Sequence, residues 1–429
     1  MSIKSILLSK SSIDFAYLFC SNIIKKGFGF VREVILASIF GSSVLYANFL
    51  LLKTVSELFS DLTQGSAMQA SLLSKFSKLY SDNDNISLVN IFNFSRKIMF
   101  GLFILSQLIQ IPIVFYINPE YFWTFIFLSL LLGVVLSLNF YNAIFLVIMQ
   151  GKGQFKKHSF STTMDIFIST LILYPLSILF EVIGIVISRL VGLLSLFYIY
   201  LSPMSNEQKG VDVKFGLKDF NISILFLGNF ANIIMLLSRF TAGLDDGNNI
   251  TFFNYSIVLL NVLLTAIILN LNTIVLRRLS IKKDLRLVIL SGFSALFLGL
   301  GLVFVINTYG FNIIQFIFQR GAFTLEDTFA TFAYAKDLSY SFVLIFIASA
   351  LFQPFFSMDQ NLIKRESSVM ARILFLAIVG LFVVFNFISL DARDNSLIMI
   401  YSLSVLSMFL SIFSVYKYFT TKVLKKQWN

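Results

Sequence analysis

Apolar runs of about twenty residues recur along this chain, and each is long enough to cross the ~30 Å hydrocarbon core of a bilayer. They lack the alternation of barrel strands. A backbone inside lipid must satisfy its polar groups within its own segment, so the runs predict transmembrane helices. The first six lie near Ile13–Phe40, Val44–Ala70, Ile98–Ile117, Tyr121–Met149, Ser159–Leu179 and Val182–Leu201. The second six lie near Asn221–Leu244, Ile250–Leu276, Leu287–Ile306, Leu338–Phe356, Ile373–Leu390 and Leu397–Tyr416. Pro175 and Glu181 mark a tight hairpin between the fifth and sixth. Composition agrees: 57% of the 429 residues are hydrophobic and only 13% are charged, against about 25% charged in soluble domains. The expected fold is an all-α polytopic membrane protein with about twelve helices in two six-helix lobes, residues 1–205 and 206–429, around a central cavity.

The charges supply a separate check on that count. With the N-terminus in the cytoplasm, the inner segments hold 24 Lys and Arg, and the outer ones hold Arg320, Lys336 and Arg393 alone. That is the positive-inside pattern, and a miscounted helix would invert it downstream of the error. The net charge of +11 therefore faces anionic lipid, and nucleic acid is not needed to explain it. Both termini are expected in the cytoplasm. A cleavable signal peptide is not expected, because the first apolar stretch runs on into charged helical sequence. Cys20 stands alone, which excludes an intrachain disulfide, and with His158 as the single histidine no metal site is expected.

Six basic residues remain inside the spans: Lys25, Lys26, Arg32, Lys53, Arg189 and Arg239. Each costs about 2.5–3.5 kcal/mol at mid-membrane on insertion scales, so such residues face water, a partner or the interface. Arg189 stands about 12 Å from the outer end of its helix at 1.5 Å per residue, within reach of the interface by snorkelling. Lys25 and Lys26 fall past the midplane of the first span, with Arg32 and Glu33 near its outer end. On the second span Lys53, Glu57 and Asp61 are spaced four apart and share one face. Two readings fit these seven groups. They lock the bundle as internal ion pairs, or they line a hydrated, net cationic cavity that holds an anion. Phosphate oxygens suit such a cavity, because Lys and Arg bind them by charge-assisted hydrogen bonds. A lipid diphosphate bearing sugars would place its head there and leave its tail in the bilayer. No phosphate-cradling GxxxxGK[ST] loop is present to bind ATP.

The two halves repeat weakly. Arg32 is followed by Gly41, Tyr46 and Phe49, and Arg239 by Gly247, Phe252, Phe253 and Tyr255. The stretch Gly29-Phe30-Val31-Arg32-Glu33, then Ile39-Phe40-Gly41 and Gln64-Gly65-Ser66-Ala67-Met68-Gln69-Ala70, resembles the opening of the MurJ/MviN lipid II flippases. The stretch from Phe318 to Thr328, FQRGAFTLEDT, resembles their outer loop before the tenth helix, and Phe355-Phe356-Ser357 the end of that helix. The resemblance implies the multidrug/oligosaccharidyl-lipid/polysaccharide exporter superfamily. Its flippases move polyprenyl-diphosphate saccharides by alternating access without cleaving them. Carried over, two of the family's cavity cations fall on Lys26 and Arg32. Asp61 and Val258 stand where the second- and eighth-helix arginines would lie, and Ala47 where an early acidic residue would. Family members commonly have fourteen helices, two more than this chain.

The function implied is a flippase carrying an undecaprenyl-diphosphate-type glycolipid, either lipid II or a surface-polysaccharide unit, from the inner to the outer leaflet of a bacterial inner membrane. Lys25, Lys26, Arg32, Lys53 and Arg239 would be the cavity cations, and Glu33, Glu57 and Asp61 gating partners. It would act as a monomer, without a catalytic residue, metal or cofactor, driven by Na+, H+ or the membrane potential. Two alternatives stay open. A drug or cation antiporter of the same superfamily would use carboxylates such as Glu57, Asp61 or Asp165. A membrane glycosyltransferase or ligase would use the adjacent Asp245 and Asp246.

Overall fold

The computed structural model describes residues 10–63, 65–82, 86–116, 121–201, 211–213, 215–220, 222–244, 247–263, 268, 272, 286–356, 360–387 and 390–427. Among the described residues the apolar runs are helices, and the chain is an all-α multi-pass membrane protein. In order these are α1 (Lys10–Phe40), α2 (Val44–Thr63), α3 (Gly65–Asp82), α4 (Val89–Tyr116), α5 (Phe122–Gly151), α6 (Phe155–Leu171), α7 (Leu173–Leu196) and α8 (Ile222–Gly228). They continue as α9 (Phe230–Ala242), α10 (Asn249–Leu263), α11 (Arg286–Phe318), α12 (Leu325–Leu351), α13 (Gln353–Phe356), α14 (Gln360–Phe387) and α15 (Ala392–Gln427). One short parallel pair, β1 (Ile86–Ser87) with β2 (Val211–Asp212), joins two connecting segments.

Seven described helices are long and apolar enough to span a membrane outright. The rest of the expected twelve miss that standard for visible reasons. α1 and α2 carry the charges of the candidate site, the seventh span is interrupted at Asn229, and α10 is described only as far as Leu263. The fifth and sixth spans merge into one run broken at Phe180 and Glu181, where Glu181 has φ 49°. That break is the expected hairpin, reached at Glu181 itself, with Pro175 inside the preceding helix. Gly184 seals it, since a Cβ there would collide with the Leu176 carbonyl.

The ninth and tenth spans are longer than their hydropathy suggests. α11 runs to Phe318, and α12 begins at Leu325, thirteen residues before the expected Leu338. A capping box sets that start: the Thr324 hydroxyl accepts from the Asp327 amide at 3.2 Å, and the Asp327 carboxylate accepts from the Thr324 amide at 2.8 Å. Lys336 and Asp337, read as loop residues by hydropathy, are therefore helical.

Two compact units emerge from the packing: Met1–Ile39 with Leu52–Gly228, and Phe40–Leu51 with Asn229–Asn429. In the first, α5 is the hub, packed on α3, α4, α6 and α7 and 72% buried over its apolar window. Phe92, Phe140, Tyr141 and Phe145 belong to its core. In the second, α12 is the hub, packed on α10, α11 and α15 and 61% buried. Each hub is the fourth span of its half, so the weak sequence repeat has a counterpart in packing. Within the second unit the turn after α1 is held against the α11–α12 loop. Gly41 has φ 52°, a Cβ there would strike the Ala322 carbonyl, and the Tyr255 hydroxyl donates to the Gly41 carbonyl at 3.1 Å.

Candidate cationic site

α1 must satisfy three surroundings at once, and its 3.6-residue period allocates a face to each. Ser21, Lys25, Phe28 and Arg32 share one face, turned to α6 and α7. The Ser21 hydroxyl donates to the Ser159 carbonyl at 3.0 Å and shares a 2.8 Å hydrogen bond with Thr163. Lys25 Nζ donates to the Thr162 hydroxyl at 3.3 Å, and Phe28 meets Phe167 edge-on. Arg32 donates to the Ile185 carbonyl at 3.1 Å and the Ser188 hydroxyl at 3.4 Å. Ile23, Ile24 and Val31 occupy a second face and are about half exposed, the habit of lipid-facing residues.

Asn22, Lys26 and Glu33 form the third face. Glu33 meets Lys53 of α2 at 3.8 Å, and Lys53 also meets Glu57 at 3.4 Å, so one ammonium is shared by two carboxylates. Asp61, one turn beyond Glu57, lies within electrostatic reach of Lys26. Lys26 itself is exposed, left uncovered by neighbouring side chains. The two lysines are thereby distinguished: Lys25 turns to the hydroxyls of α6, whereas Lys26 is the exposed member. Lys25, Lys26, Arg32, Lys53, Glu33, Glu57 and Asp61 all belong to the first unit, four cations against three carboxylates. Arg239 belongs to the second unit, where it is buried and donates to the Asn254 side chain at 2.8 Å.

One ion pair was missed by reading spans singly. Arg189 does not snorkel outward. Its Nη1 reaches both oxygens of Asp165 at 3.0 Å, and Nη2 reaches Asn139 at 3.4 Å, tying α5, α6 and α7 together. Gly192 makes room, because a Cβ there would crowd the Asp165 carboxylate. The only sequence signal for this pair was the presence of one acid and one base on the two arms of a single hairpin. Asp245 and Asp246 lie outside the described residues.

A ladder of cations and carboxylates on α1 and α2, next to a hydroxyl-rich seam on α6, is suited to exchange ion-pair partners with a bound anion. It offers no nucleophile with an adjacent base. Among the described residues no cluster of His, Cys, Asp and Glu could hold a metal.

No protein-family model matches the chain, and no curated protein matches its sequence. Solved structures do match. The chain is similar to the lipid II flippase MurJ in an inward closed conformation, with TM-score 0.67 and 18% identity over 94% of this chain and 87% of that one. It is also similar to a multidrug resistance MATE family transporter of the MOP superfamily. The inward-facing form aligns with TM-score 0.58 and 12% identity over 95% and 96% of the two chains. The outward-facing form aligns with TM-score 0.55 and 13% identity over 98% of each.

This chain has the MOP transporter fold.

At such identities the shared property is the fold. The fold accounts for the all-α multi-pass architecture, and it does not depend on the identity of any one charged residue.

Proposed function

We propose that the protein is a flippase that carries a polyprenyl-diphosphate-linked saccharide from the inner to the outer leaflet of a bacterial cytoplasmic membrane by alternating access. The observation that carries this reading is Lys26: an ammonium left uncovered by other side chains well inside a transmembrane helix, in a fold used by a lipid II flippase and by drug transporters. The cost of holding a cation at that depth is offset if its ligand is an anion. Lys26 would meet the diphosphate first. Lys25 and Arg32 would back it from the α6–α7 face, and Lys53 and Arg239 would complete the set in other states of the cycle. Glu33, Glu57 and Asp61 would take the cations back when the substrate leaves. Such exchange moves the conformational equilibrium only to the extent that substrate binds the two access states unequally.

The antiporter reading needs carboxylates available to a cationic drug or a coupling ion. Asp165 is held by Arg189 and Glu57 by Lys53, which favours the anion reading. Na+, H+ and the membrane potential all fit as driving force, the last at ~2.3 kcal/mol per unit charge per 100 mV. Complementation of two conditional bacterial strains tests the proposal, one depleted of its lipid II flippase and one of an O-antigen flippase. Rescue of either supports it and names the saccharide class. Failure in both, with the protein present in the membrane, would reject it.

A further inference from the structure

The second unit contains a cavity of about 590 Å3 in which the candidate cations take no part. Its wall comes from the end of α9, the start of α10, the end of α14 and the first turn of α15. In the orientation read from the charges this is the non-cytoplasmic end of the unit. Its volume falls in the ~300–1,000 Å3 range of small-molecule sites. Phe382 and Phe385 line one part, and Asn386, Asp391, Arg393 and Asn395 line another.

The polar rim is held in place before any ligand arrives. Arg393 donates to Asp337 of α12 at 2.8 Å and lies over the Tyr334 ring at 5.4 Å. The Asn395 amide nitrogen donates to the Leu390 carbonyl at 3.1 Å, and its backbone N–H donates to the Asp391 carbonyl at 3.0 Å. The Asn386 side chain uses one N–H on the Phe382 carbonyl at 2.8 Å, which leaves its amide oxygen for a ligand.

The chemistry of this wall differs from that of the α1–α2 site. Arg393 is neutralised by Asp337, and Asp391 adds a negative charge, so a phosphate would be repelled. Amides and a carboxylate suit ligands rich in hydroxyl and N–H groups, and aromatic rings suit the C–H faces of sugar rings. We propose that this cavity is a saccharide-binding subsite. On the flippase reading, upon which it rests, the cavity receives the sugar head of the lipid once it has crossed.

Binding to the purified full-length protein in nanodiscs tests both ideas separately. One probe is a panel of soluble neutral hexoses and N-acetylhexosamines, from mono- to trisaccharides. The other is inorganic pyrophosphate. The subsite predicts that at least one saccharide binds, that Asn386→Leu and Asp391→Ala each weaken it at least tenfold, and that Lys26→Ala leaves it unchanged. Phe385→Ala, at a half-buried position, serves as a second variant should either of the others melt early. Absence of saccharide binding at millimolar concentration, or binding that none of these variants alters, would overturn the subsite. Pyrophosphate binding that is lost in Lys26→Ala and kept in Asn386→Leu supports the diphosphate site whatever the saccharide result. Its absence counts against the flippase reading alone. Displacement of the soluble sugar by a lipid-linked saccharide assigns the subsite to the transported head group, and lack of displacement assigns it to free saccharide.

Discussion

At the scale of residues, the charged groups divide into those that fix the fold and those that remain available. Asp165 and Arg189 are the first kind. Removing one partner of a buried pair leaves the other uncompensated and costs about 3–5 kcal/mol. Asp165→Ala should therefore lower thermal stability and membrane abundance sharply, and Asp165→Ala with Arg189→Met should recover much of the loss. An equal loss in the double variant would show that the pair is not what holds α6 and α7 to α5. Lys26 is the second kind. Lys26→Ala should abolish transport while membrane levels stay normal, and Arg32→Ala should abolish transport with a modest cost to stability from its contacts on α7. Full activity in both would remove the cationic site, and loss of folded protein would favour the ion-pair lock. The seven charges were legible in the sequence, but which of Lys25 and Lys26 is the exposed member of its pair was not. Their partners were not legible. Which helix lies against each face is set by packing between segments more than a hundred residues apart, as with Lys25 and Thr162 or Arg32 and Ser188.

At the scale of elements, hydropathy locates the spans and misplaces their ends. α3 carries alternating Ser and Lys to Asp82 and does not pass as apolar, and α12 opens with a polar turn at Leu325 that hydropathy reads as loop, although both are helical. The signal for the second was present as Thr324-Leu325-Glu326-Asp327, a capping pattern inside what reads as a loop. Thr324→Ala removes the cap and should cost about 1 kcal/mol, read as a fall in the thermal midpoint of the purified protein. An unchanged midpoint would mean that the turn is held by its packing against Gly41 instead. The hairpin at Glu181, within α7, was fully legible, since Glu181 is a charged residue between two apolar runs too long together for one span.

At the scale of the whole molecule, each of the two compact units is centred on one well-buried helix, α5 or α12, and the chain has the MOP fold. Composition, spacing and the positive-inside pattern were enough to reach an all-α multi-pass fold, and the resemblance to the flippase family supplied the superfamily. The substrate was not legible in the same way, because the fold also serves drug transporters. The most direct test of the flippase proposal is translocation by the purified protein in vesicles holding a fluorescent polyprenyl-diphosphate saccharide. The account predicts protein-dependent transfer between leaflets, reduced at least tenfold by Lys26→Ala. Transfer no faster than in protein-free vesicles, or transfer that Lys26→Ala leaves intact, would contradict it.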